Sequence, residues 1–194
     1  MFDFMFSNYR GNRLRQYDAK RQQEARVRGF LFSTEELAEI LVFWGDLIQG
    51  AIAHTIDSLR FPLADGNSVE ITPSRISFEK EIEPSAEAMR ATVLHIAAQW
   101  EAKATLGIDE ENTSTSREYR LRMRAYAEVY GIELTDQSDV YRDLAFTKAE
   151  LARLPELRRE IRVTHRDAPP ERPDEHKQLA DAYARRYPFR LPAA

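Results

Sequence analysis

Residues 33–60 read STEELAEILVFWGDLIQGAIAHTIDSLR, and this stretch decides the predicted fold. Ser33 and Glu36 have the spacing of a capping box, in which each side chain bonds the other residue's backbone amide at a helix start. The apolar residues that follow cover more than one helical face. They are Leu37, Ile40, Leu41, Phe43, Trp44, Leu47, Ile48, Ile52, Ile56 and Leu59. The pattern predicts a long central helix over about 34–60 that other elements contact on two sides.

Other patterns place further elements around this helix. Alternating apolar residues over 68–83 predict a β-hairpin with one apolar face. Apolar spacings of three and four predict helices over about 85–106, 115–130 and 137–164. The predicted fold class is therefore mainly α, a bundle of four to five helices with one β-hairpin inserted between the two longest.

Two tryptophans fall on the apolar seams of this bundle. Trp44 lies on the central helix, and Trp100 lies on the helix that follows the hairpin. Large aromatic side chains at helical core spacing are typical of packing. We expect both rings to be buried between facing helices.

The two ends of the chain differ from its middle in charge and composition. Residues 1–30 carry seven Arg or Lys against three Asp or Glu, whereas residues 31–114 carry five against fifteen. Beyond the middle, a Pro-rich stretch begins after Asp167. The predicted domains are a basic aromatic arm at 1–30, a helical core at 31–166, and a linker, short helix and extended tail at 167–194.

Bulky apolar side chains alternate with others at both ends, which is the spacing of an extended segment with one apolar face. The residues concerned are Phe2, Phe4, Phe6, Tyr9, Phe189 and Leu191. An exposed face of this kind favours association, and the basic arm complements the acidic body. We expect these residues to bind a neighbouring chain in a homo- or hetero-oligomer, and the core to fold without residues 1–9.

Several classes of site are excluded by composition. The chain has no Cys, which excludes disulfides and thiolate metal sites, and its seven Gly occur in no phosphate-binding loop. No apolar run is long enough to span a membrane, and the first residues lack the pattern of a signal peptide. We expect no cofactor and no metal, and a cytoplasmic or virion-associated location.

Four histidines offer few sites for catalysis. His54 has one carboxylate at helical spacing, Asp57, and His95 has none. Both lie among apolar residues on predicted core elements. We expect His95 to be a buried histidine with a hydrogen-bond partner rather than a metal ligand.

Arginine and histidine recur at a spacing that resembles the Arg-x4–6-His motif of HEPN-type ribonucleases. Arg90 precedes His95, and both Arg158 and Arg159 precede His165. The resemblance implies a helical protein in which the Arg and the His together cleave RNA. With 23 Arg in 194 residues, however, such pairs also arise by chance.

An arginine stripe offers a second route to nucleic acid. Arg117, Arg120 and Arg124 share one face of the predicted helix over 115–130, and such a stripe can follow a phosphate backbone. The same face can instead be solvated and paired with Glu118 and Glu128.

These patterns lead to two hypotheses for function. The first is a non-enzymatic structural or adaptor subunit of a larger multi-protein assembly. The predominance of Arg over Lys suggests a GC-rich genome, such as that of a bacterial virus or mobile element. The alternative is a nucleic-acid-binding or HEPN-like RNA-cleaving subunit.

Overall fold

The computed structural model describes residues 4–7, 20, 23–78, 83–100, 103–106, 113–136 and 145–165. In chain order the elements are β1 (Phe4–Ser7), α1 (Thr34–Trp44), a 3-10 turn (Gly45–Leu47), β2 (Ala53–His54), β3 (Leu59–Pro62), β4 (Ser68–Thr72), β5 (Arg75–Phe78), α2 (Ala86–Gln99), β6 (Lys103–Leu106), α3 (Thr113–Val129), β7 (Glu133–Asp136), α4 (Lys148–Leu151) and α5 (Leu154–Thr164). Residues 23–28 are also helical.

The strands form one seven-stranded sheet in the order β2-β3-β4-β5-β1-β6-β7. All neighbouring strands are antiparallel except β6 and β7, which are parallel and are connected through α3. The predicted mainly α bundle is therefore wrong, and the fold is mixed α and β. Strands β4 and β5 occupy the residues of the expected hairpin, but they are two members of a larger sheet.

The apolar run that was expected to form one helix divides at Trp44. A 3-10 turn follows, and Gly50 then adopts a φ of +116°, which L side chains rarely adopt. In β3, buried Leu59 and Phe61 alternate with exposed Arg60, so the period has changed from helix to strand. Apolar residues at 33–60 therefore supply both a helix and a sheet edge.

The N-terminal segment is a strand inside the sheet. Strand β1 pairs with β5 from Phe4↔Phe78 to Ser7↔Arg75, and on its other side it pairs with β6. The backbone of Phe4 and Phe6 therefore lies in the chain's own sheet. That their side chains bind a neighbour, and that 1–30 is a separate domain, stay predictions. Phe2, Tyr9, Phe189, Leu191 and the predicted segment 167–194 lie outside the described residues.

Helix starts follow the sequence more closely than helix ends. The capping box of Ser33 and Glu36 is confirmed at α1, and Thr147 with Glu150 forms another at α4. The helix predicted over 85–106 ends at Gln99 instead, because Lys103–Leu106 is β6. Among the described helices, none combines the length and hydropathy that crossing a membrane requires.

The core lies between the sheet and helices α1 and α2. The Trp44 ring packs 5.7 Å from Phe61 and 6.3 Å from Phe78, and the Trp100 Nε1 donates to the Pro73 carbonyl at 3.1 Å. Both tryptophans are at most 3% exposed. Their predicted burial is confirmed.

His95 connects the two tryptophans. Its Nδ1 accepts a hydrogen bond from Trp44 Nε1 at 3.4 Å, and its ring lies 6.0 Å from that of Trp100. The residue is 2% exposed, which confirms the expectation of a buried, hydrogen-bonded histidine. Burial disfavours the charged imidazolium and lowers the pKa of His95 to about 3.

We expect this histidine to make stability depend on pH. Between the ordinary pKa of 6.5 and the folded value of about 3, the unfolded chain binds a proton that the folded chain does not. The free energy of unfolding should therefore fall as pH drops from 6.5, by about 2 kcal/mol at pH 5. Urea denaturation at pH 7.5 and pH 5 should show a larger loss for the wild type than for His95→Gln, and equal losses would contradict the assignment.

A second prediction follows from the position of β1. Deleting residues 1–9 removes the strand between β5 and β6, which exposes the backbone N–H and C=O groups of both. This position reverses the expectation that the core folds without residues 1–9. We now expect the truncated chain to lose its cooperative thermal transition, measured by circular dichroism. Deletion of residues 1–3 alone retains β1 and serves as the control. A 1–9 deletion that melts like the full chain would show that the sheet does not need this strand.

Candidate functional site

The three arginines of the predicted nucleic-acid stripe do not form one accessible surface. The Arg117 guanidinium donates to Glu150 at 2.8 Å and to the Ala145 carbonyl at 3.0 Å. This hydrogen-bonded arginine, together with Thr147, lowers the pKa of Glu150 to about 2. Arg117 thus joins α3 to the start of α4.

The other two arginines of the stripe also make contacts within the chain. Arg120 is 1% exposed, and its guanidinium lies 4.6 Å from the centroid of the Phe146 ring. A buried cation over an aromatic face is held by packing and has no access to a phosphate backbone. Arg124 lies 3.7 Å from Glu128, one helical turn further along α3.

Helices α3 and α5 are joined by carboxylates that each contact two arginines. Glu118 accepts from Arg122 and from Arg153, and hydrogen bonds with both lower its pKa. Glu118, in the first half of α3, contacts Arg153, directly before α5. Tyr126, near the end of α3, contacts His165, directly after α5. The two helices therefore run in the same direction. Most arginines on α3 are therefore engaged in contacts within the chain.

Helix α5 has one face in the core and another that lines a groove. Leu154, Leu157 and Ile161 are its buried residues. On another side, an open groove of about 600 Å³ is lined by Pro155, Arg158, Arg159, Arg162 and Val163, and we call it the α5 groove.

The α5 groove contains cations that the described residues do not neutralise. Arg158 donates to Glu128 at 2.9 Å. Arg159 and Arg162 are exposed, and neither forms an ion pair with any residue in the described part of the chain. Sequence reasoning used Arg158 and Arg159 only as partners of His165 and missed this surface. The available signal was the recurrence of Pro155, Arg159 and Arg162 at spacings of four and three on one helix.

A second group of polar side chains lies where α2, α3 and the end of α5 meet. Tyr126 on α3 stacks with Tyr130, which directly follows that helix, with ring centroids 6.4 Å apart and planes inclined by 9°. Arg90 Nε donates to the Tyr130 hydroxyl at 3.2 Å, and His165 Nε2 lies 3.0 Å from the Tyr126 hydroxyl. We call these four residues the Arg90–His165 cluster.

The electrostatics of the cluster follow from burial and from its two basic groups. Burial raises the pKa of Tyr126 to about 12, so its hydroxyl keeps its proton and can donate to His165. Burial also lowers the pKa of His165, and the positive charge of Arg90 lowers it further.

The structure does not bring Arg90 together with His95, the histidine that its spacing in the sequence suggested. Arg90 is bonded to Tyr130, while its expected partner His95 is buried against Trp44. Arg90 instead acts electrostatically on His165, the histidine of the other two pairs. The HEPN resemblance implied a helical protein, and the mixed sheet of this fold departs from it.

The remaining histidine candidate has a structural contact. His54 Nε2 accepts from the Phe32 backbone amide at 3.1 Å, and its ring stacks on Phe30 and Phe32. The Nε2 lone pair of His54 is therefore already used in a hydrogen bond within the protein. In the part of the chain that the structure describes, no group of three or more His, Asp or Glu side chains could hold a metal ion.

Comparisons with models of protein families, with curated proteins and with solved structures found no match to this chain. The two surfaces near α5 are therefore interpreted from their own chemistry.

Proposed function

We propose that this chain binds the phosphate backbone of a nucleic acid through the α5 groove. The observation that carries the proposal is the pair of exposed arginines, Arg159 and Arg162, which have no ion-pair partner among the described residues. Arginine presents a planar fork of donors that matches phosphate oxygens, and it stays charged at all physiological pH values.

The position of these arginines on one helix supports a linear ligand. Residues 158, 159 and 162 span about 6 Å along a helix axis, so one strand of nucleic acid can contact all three. Arg158 is already bonded to Glu128, which leaves Arg159 and Arg162 as the main contributors of new phosphate contacts.

The acidic middle of the chain limits the range of this attraction. Residues 31–114 carry an excess of ten acidic residues, but at physiological salt the interaction between exposed charges is screened beyond about 8 Å. Binding through the α5 groove therefore depends on local contacts and not on the net charge of −4.

A second candidate function is a structural or adaptor subunit of a larger multi-protein assembly. Val163 favours it, because this apolar side chain is 65% exposed in the same groove as Pro155. Protein interfaces combine arginine with apolar side chains, whereas phosphate contacts need no apolar group. Within the described residues, this groove therefore joins apolar and arginine side chains in the combination that assembly needs.

The experiment is a salt titration of binding to a fluorescein-labelled single-stranded oligonucleotide, measured by fluorescence anisotropy. The slope of log K against log salt reports about 0.7 per phosphate neutralised. We expect the double variant Arg159→Gln, Arg162→Gln to reduce that slope by about 1.4 and to weaken binding at low salt.

The control is Arg26→Gln, which removes an exposed arginine from the helical residues 23–28. This variant should bind like the wild type. An unchanged slope in the double variant would reject the α5 groove as the nucleic-acid site. Complexes of defined mass with a protein partner that withstand added salt and are lost on Val163→Asn would support the adaptor function instead.

A further inference from the structure

The Arg90–His165 cluster brings together basic groups from elements that are distant in sequence. Arg90 lies in the middle of α2, and His165 follows the last residue of α5. Each is bonded to one of two stacked tyrosines at the end of α3, Tyr126 on the helix and Tyr130 directly after it. Arg90 and His165 are therefore each bonded to a hydroxyl of the same stacked pair of rings.

Both basic side chains keep donors available for a ligand. The guanidinium of Arg90 has five N–H donors, and the contact with Tyr130 uses the one on Nε. Its terminal nitrogens form no ion pair with any described residue. When the Tyr126 hydroxyl donates to His165 Nε2, the imidazole proton lies on Nδ1, which is then a second donor.

The charges around the cluster favour an added anion. Arg90 opposes protonation of His165, and the carboxylate of Glu87, one turn before Arg90 on α2, favours it. From α3, Arg122 also acts on the cluster, and it is paired with Glu118. Two neighbouring groups that repel one another when both are charged are stabilised together by an anion that contacts both.

We infer that the Arg90–His165 cluster binds a phosphate group, with the Arg90 guanidinium and the His165 imidazole as donors and the two tyrosines as positioning residues. An arginine together with a second nitrogen donor can bond several oxygens of one phosphate. This inference does not depend on the α5 groove, because it uses none of the residues that line it.

The inference fixes the direction of a pH effect. An anion bound against His165 stabilises its protonated form, so phosphate should raise the pKa of His165. By linkage, phosphate should bind more tightly below the pKa of His165 in the complex and more weakly above it.

The experiment is an NMR titration of the histidine ring resonances of the full chain from pH 5 to pH 8. It is run without ligand, with inorganic phosphate, and with a dinucleotide that contains a single phosphodiester. We expect phosphate to move the titration midpoint of His165 upward. A response to inorganic phosphate alone would assign the site to a free phosphate or monoester, and a response to both ligands would include the phosphodiester of a nucleic acid.

His54 is the internal control, because burial and then a nearby arginine, Arg28, lower its pKa, as burial and Arg90 do for His165. Arg28 is already bonded to the Leu31 carbonyl and lies 4.0 Å from Glu36, so His54 should not respond to phosphate. An equal response of both histidines would show a general ionic effect and overturn the inference.

Two substitutions complete the test. Arg90→Gln should weaken phosphate binding about tenfold or more, as expected for loss of a charged hydrogen-bond donor. Glu87→Gln removes an exposed negative charge that repels phosphate. This variant should bind phosphate more tightly while leaving the fold intact. No response of His165 to either ligand, or unchanged affinity in both variants, would overturn the site.

Discussion

The rest of this structure depends on the backbone pairing of β1 with two strands at once. Four residues, Phe4–Ser7, connect the antiparallel strands β2–β5 to the parallel pair β6 and β7. A strand in this position satisfies backbone donors and acceptors on both of its edges, which a loop could not do. Its partners lie about 70 and 100 residues away in sequence, so the sheet closes only after distant segments have met. Helices α1 and α2 pack through Trp44, Trp100 and His95 against the sheet that this pairing completes.

Arginine dominates the surface of α3 and α5, but most of it has a structural role. Glu118 and Glu128 each contact two arginines, and Glu70 does the same between Arg60 and Arg75 on the sheet. Exposed pairs of this kind contribute at most about 1 kcal/mol each, so their main effect is to fix where the helices sit. A count of arginines therefore says little about a binding surface. The informative arginines are those, such as Arg159 and Arg162, that the described part of the chain leaves without a carboxylate.

Helix α5 links the two proposed sites. Its buried residues Leu154, Leu157 and Ile161 anchor it on the rest of the fold, one side lines the α5 groove, and its end places His165 beside Tyr126. The two sites use different residues. Their proposed ligands also differ, since one is a chain of phosphates and the other is a single phosphate group. Variants in one site are therefore informative controls for the other.

The sequence by itself determined the features that depend on neighbouring residues. The capping boxes at Ser33 and Thr147 and the alternation in β4 and β5 are local patterns, and the burial of both tryptophans follows from their apolar neighbours. Arg90, Arg158, Arg159 and His165 were each noticed, but only in pairs defined by spacing, so neither the α5 groove nor the contact between Arg90 and the tyrosines was predicted. Only the tertiary structure decided whether residues 45–60 continue a helix, because a run of apolar residues satisfies the periods of both helix and strand. It also decided that Phe4–Ser7 pairs within the chain and which arginines contact a carboxylate. Backbone pairing and ion pairing can join residues that are far apart in sequence, so the sequence alone does not say which residues meet.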